Sequence, residues 1–127
     1  MATTGTTSTE AHPLWPALIG LTTLGVLRQG LRAGLLLRRD ADGSTWSSVH
    51  QHGAEATVTL AALATIAAAM WLRHRRDLLV GTVLLLGLLV VEYLLGRAGG
   101  ASVAVHVPLA MVLMGLAVWL PMAARRR

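Results

Sequence analysis

The chain contains no cysteine, no phenylalanine and no lysine. Without cysteine there are no disulfides, no thiolate metal site and no thiol chemistry. Without lysine, the net charge of +5 rests on arginine alone. Charge of either sign is scarce: 13% of residues are charged, against about 25% in a soluble domain. Signature loops are missing as well. There is no phosphate-binding glycine loop, no HExxH zinc motif and no GxSxG nucleophile elbow, so no catalytic set emerges. Gly96, Gly99 and Gly100 are spaced as a turn and follow no strand. No lysine or arginine precedes the first apolar stretch, as a secretory leader would require, so that stretch is expected to persist as a helix.

Apolar runs are what the chain does have. It is 54% hydrophobic, with a mean hydropathy of +0.61. Four runs of membrane length fit within its 127 residues and leave no room for a separate soluble domain. The expected fold is all-α: a polytopic membrane protein, a bundle of four transmembrane helices. A polar tail over 1–13 precedes helices over about 14–37, 49–72, 78–95 and 103–122, and a basic end covers 125–127. Pro13 and Pro16 suit a helix start, where the missing N–H costs little. Asp40, Asp42 and Gly43 break the first connection. The body of the second helix, from Ala54 to Ala69, is mostly Ala and Thr, which allows close helix approach or leaves space for a flat ligand. Trp15, Trp46, Trp71 and Trp119 read as anchors in the interfacial belt.

A basic soluble protein would suggest nucleic acid. Here the arginines gather at helix ends, so topology and anionic lipid explain them better and no nucleic-acid partner is expected. Arg73, Arg75 and Arg76 place the second connection in the cytoplasm, and Arg125–Arg127 place the C-terminus there. With four spans the N-terminus follows. Arg38 and Arg39 count against this orientation. The Ala/Leu/Val/Gly/Arg bias resembles a GC-rich bacterial genome, so the expected site is a bacterial inner membrane.

The chemistry gathers at two matching stretches, Ser48-Val49-His50-Gln51-His52 and Ser102-Val103-Ala104-Val105-His106. Ungapped alignment sets Ser48 on Ser102, Val49 on Val103 and His52 on His106. Each histidine is followed by roughly 20 residues, one membrane span, before an arginine cluster. A looser correspondence sets Gln29 beside Glu92. The reading is two parallel two-helix repeats, related by an axis along the membrane normal, with the second and fourth helices diagonal. His52 and His106 would then face each other near the outer surface. Two histidines at one depth suit the axial positions of a haem iron, here haem b. The repeat favours His52; His50, on another side of the helix, is the alternate ligand. Arg28, Arg32 and Arg97 are candidates for the propionates. Glu55, one turn after His52, either orients an imidazole, moves protons or forms an ion pair. Glu92 is a deeper acid, with Arg28 or Arg32 as expected partners.

Val91-Glu92-Tyr93-Leu94-Leu95-Gly96 followed by Val105-His106-Val107-Pro108-Leu109-Ala110-Met111 resembles the second helix pair of one four-helix half of haem A synthase. It is also similar to small four-helix membrane proteins of actinobacterial type. The resemblance spans roughly Ala17 to Leu120 and implies that His52 (or His50) and His106 are axial histidines. The enzyme family has two such halves, a glutamate before the second-helix histidine and an arginine after it. This chain has one half in length, Val49 and Ser48 before, and Gly53 after.

Three functions follow in order. The first is a haem-b protein in electron transfer, haem handling or as an accessory to a respiratory complex or redox partner. The second is a cofactor-free structural or scaffold subunit. The third is a small proton-coupled transporter using Glu92 and Glu55, which would work as a homodimer.

Overall fold

The computed structural model describes residues 13–36 and 43–126. Residues 1–12, where a polar tail was expected, residues 37–42, which hold Arg38, Arg39, Asp40 and Asp42 of the expected first connection, and Arg127 lie outside them. Four helices account for nearly all described residues: α1 (Leu14–Leu36), α2 (Gly43–Trp71), α3 (Arg76–Ala98) and α4 (Val103–Ala124), with one 3₁₀ turn, Gly100–Ser102, before α4. Neighbours pack in the cyclic order α1–α2–α3–α4–α1. Among the described residues no close backbone approach joins α1 to α3 or α2 to α4, so these two pairs are diagonal.

The three stretches Thr45–Trp71, Arg76–Ala98 and Gly100–Ala124 are long and apolar enough to cross a membrane. At 23 residues α1 matches them in length, but Arg28, Gln29 and Arg32 interrupt its second half. The outer surface is apolar: Leu24, Leu31, Ile66, Leu94, Met111 and Val112 are all exposed. An apolar exterior around a core that includes buried threonines defines a multi-pass membrane protein, since lipid solvates such a surface and water does not.

Each helix turns one heptad-spaced seam inward. On α1 it is Trp15, Ile19, Thr22 and Val26; on α2, Thr57, Ala61, Ala64 and Ala68; on α3, Leu78, Thr82, Leu85 and Leu89; on α4, Leu113, Ala117 and Leu120. Four alanines of α2, Ala61, Ala64, Ala67 and Ala68, are buried at 0–2% exposure. They bring neighbouring backbones close and line no open slot, so their small size serves packing here. Trp15 departs from its expected place in the interfacial belt. It is buried, and its indole N–H donates to Thr82 Oγ1 at 3.3 Å. Apolar surroundings force a Trp N–H to find such a partner.

Pro121 lies inside α4 and has no N–H for the Ala117 carbonyl one turn back. Thr23 of α1 supplies the replacement, its hydroxyl lying 2.7 Å from that oxygen. At the same end, Arg75 forms a two-toothed pair with Asp77 (3.0 and 3.2 Å) and reaches the Ala123 carbonyl at 3.4 Å. Its hydrogen bonds to Asp77 hold the guanidinium pKa above its ordinary value.

Two helix ends differ from expectation. α2 begins at Gly43, so part of the expected polar turn is helical and the histidines sit about two turns inside. α3 continues to Ala98, because the stop is at Gly99 and Gly100 (φ 62° and 57°), the left-handed region glycine tolerates. Ser102 closes this turn with its hydroxyl 2.6 Å from the Gly99 carbonyl and 2.8 Å from that of Leu95.

Candidate functional site

The seams run on into polar residues at one end of the bundle. One further heptad step brings Gln29 into the α1 seam, His50 into that of α2, Glu92 into that of α3 and His106 into that of α4. All four helices therefore contribute one polar side chain to a single layer. Each of these residues is partly buried.

Glu92 and His106 make the closest pair. Glu92 Oε1 lies 3.2 Å from His106 Nδ1. The ring also rests against Gly96, one turn along α3, where a Cβ would stand 3.3 Å from Cε1. The expected partners of Glu92 were Arg28 or Arg32; the seam places it instead on the α3–α4 side, against His106. The 3.2 Å approach is an ion-pair distance without hydrogen-bond alignment, and both Glu92 oxygens and His106 Nδ1 are buried with no aligned partner.

His50 occupies the diagonal helix. Its Nδ1 and the Gln29 Oε1 are likewise buried without a hydrogen-bond partner. Gln29 Nε2 donates to the His50 carbonyl at 3.0 Å, and Arg32 Nη1 to the Val49 carbonyl at 2.9 Å. Gly53 makes room for both, since a Cβ there would collide with Arg32 Nη1 and stand 2.9 Å from Gln29 Nε2.

His52 is placed elsewhere. It is exposed, with Nδ1 2.8 Å from the Ser48 carbonyl of its own helix. The structure brings His50 toward His106 and leaves His52 on a different face, along a groove of 560 Å³ between α1 and α2. Arg28 and Arg32 line the same groove. Arg97 stacks on the Tyr93 ring, 5.8 Å from its centre, on the outside of α3. Tyr93 donates to Glu55 Oε1 at 2.9 Å and Gln51 Nε2 to the same oxygen at 3.3 Å. Glu55 thus belongs to an exposed α2–α3 bridge. Tyr93 carried no role in the sequence reading, although it follows Glu92 and lies one turn from Arg97.

Among the described residues no cluster of three His, Cys, Asp or Glu side chains could hold a bare metal ion. Two imidazoles on diagonal helices are nevertheless one donor set that could hold a macrocycle-bound iron. A carboxylate at Nδ1 of His106 is the usual outer partner of a ligating imidazole, because it orients the ring and leaves Nε2 as donor. Compared with family models, curated proteins and solved structures, the chain finds no match.

Proposed function

We propose that this membrane protein binds haem b through His50 and His106, in electron transfer or haem handling beside a respiratory complex. The carrying observation is the polar layer itself: five buried polar atoms on Gln29, His50, Glu92 and His106 lack hydrogen-bond partners in a lipid-facing bundle. Each such atom costs several kcal/mol in hydrocarbon, so a ligand, water or proton is needed there. The two imidazoles fit an iron; Glu92 fits the role of orienting His106; Gln29 holds the α2 backbone at His50. Bound haem supplies reversible one-electron chemistry at iron. The resemblance to one half of haem A synthase supports the same reading. With the loop holding Arg73, Arg75 and Arg76 in the cytoplasm, the layer faces the outer surface of a bacterial plasma membrane.

The test is a reduced-minus-oxidised visible spectrum of the purified full chain, expressed with added haem. About one haem per chain is expected. His50→Ala and His106→Ala abolish the bands, and His52→Ala keeps them. A featureless spectrum after haem titration overturns the reading, as does loss of the bands only in His52→Ala.

One observation favours a second reading, a cofactor-free structural subunit: the buried alanines of α2 are closed by packing. Proton-coupled transport has no such support.

A further inference from the structure

The groove between α1 and α2 opens beside the histidine layer, shares Gln29 with it and has two chemically different ends. Arg28, Arg32, Ser48 and His52 line one; Leu21, Leu24 and Leu60 line the other. No acidic residue lines it among the described residues. Two guanidinium groups in a low-dielectric wall call for an anion. At about 1.5 Å per residue, Leu21 lies about 16 Å along α1 from Arg32, so an apolar track continues from the cationic end toward the middle of the span. An amphipathic anion matches this form and a free anion would leave the track unused.

We infer that this groove is a binding site for an anionic glycerophospholipid, its phosphate held by Arg28 and Arg32 and one acyl chain laid along Leu21, Leu24 and Leu60. Arg32 is fixed for the task by its bond to the Val49 carbonyl at 2.9 Å. The remaining guanidinium N–H groups stay available for phosphate oxygens. Gly53 is the enabling residue, since only a glycine there lets the Arg32 guanidinium lie across α2. Arg28 sits about 12 Å from the end of α1, near enough to the interface to meet a headgroup.

The test is native mass spectrometry of the detergent-purified full chain with added phosphatidylglycerol or phosphatidylcholine of the same acyl chains. Phosphatidylglycerol is expected to bind at least about 10-fold tighter, and Arg28→Gln/Arg32→Gln to remove that preference. Gly53→Ala weakens it in the same direction with the fold intact, because the added methyl displaces only flexible side-chain ends. Arg73→Ala, at the opposite end of the bundle, leaves it unchanged. Equal binding of the two lipids, or a preference that survives the double substitution, overturns the site. Competition by inorganic phosphate at matched concentration removes the lipid as occupant. Displacement of phosphatidylglycerol by haem loading would assign the arginines to propionates and overturn the lipid site as well.

Discussion

The Thr23–Ala117–Pro121 contact yields a prediction with a defined size. Thr23→Val is nearly isosteric, so it removes a hydroxyl without opening a cavity. The Ile19 carbonyl, 2.8 Å from the same hydroxyl, keeps its backbone donor within α1. The Ala117 carbonyl does not, because residue 121 is proline and the helical N–H is missing. The loss therefore falls on one buried carbonyl. Interhelical hydrogen bonds in membranes average about 0.6 kcal/mol and reach about 1.7; stranding a buried acceptor costs about 1–3. A destabilisation of about 1 kcal/mol is expected. In a Pro121→Ala background the new amide N–H takes the Ala117 carbonyl, and the same Thr23→Val change should cost close to nothing.

The assay is reversible unfolding in mixed micelles, followed by far-UV circular dichroism, for the wild type, both single variants and the double variant. The coupling energy should be about 1 kcal/mol, above the roughly 0.3–0.5 within which independent sites add. Equal costs for Thr23→Val in the two backgrounds would refute the claim that the hydroxyl substitutes for the missing proline N–H. The cycle removes any general effect of proline on α4 stability, which enters both sides equally.

Further substitutions test the polar layer and the α3–α4 contact. His106→Leu alone strands the Glu92 carboxylate and should cost about 3–5 kcal/mol, whereas Glu92→Leu/His106→Leu should be neutral or stabilising by about 1–4; a double variant as unstable as the single would show that the pair is not the source of the cost. Gly81→Ala should destabilise by about 1–3 kcal/mol, because its Cβ would meet Leu120 at 2.8 Å and Trp119 at 3.2 Å, while Gly87→Ala and Gly115→Ala face open space; equal unfolding midpoints for all three would contradict the close α3–α4 contact.

The bundle was legible in the sequence because lipid imposes one requirement on every span: a long run with almost no charge. The arginine loop and the glycine turn showed where spans end. Details that depend on a partner helix were not legible. Trp15 looks like an interfacial anchor until α3 brings Thr82 to its N–H. Glu92 looks like a partner for arginine until α4 brings a histidine nearer. The start of α2 at Gly43 and the end of α3 at Ala98 are local misses. Asp40, Asp42 and Gly43 suggested a break, yet from Gly43 on the stretch carries no proline and continues the helix that follows.

The choice between His50 and His52 shows which sequence signal deserves priority in such a chain. Aligning Ser48 with Ser102 pairs His52 with His106, on the strength of three matched residues. Helical phase argues otherwise and uses the whole span. Stepping back from the buried Ala68 through Ala64, Ala61 and Thr57 in alternating strides of four and three leads to Ala54 and then His50. Stepping back from the exposed Met70 through Ile66, Leu63 and Thr59 leads to Ala56 and His52, all exposed. Small residues mark the packed seam of α2 and large aliphatic ones its lipid face, the reverse of a soluble helix. The same stride carries α1 from Ile19, Thr22 and Val26 to Gln29, and α3 from Leu85 and Leu89 to Glu92. In a membrane bundle a polar residue lying on the small-residue or buried seam is aimed at protein. That rule selects Gln29, His50, Glu92 and His106 together, while local similarity between two short stretches selects His52, which faces the groove.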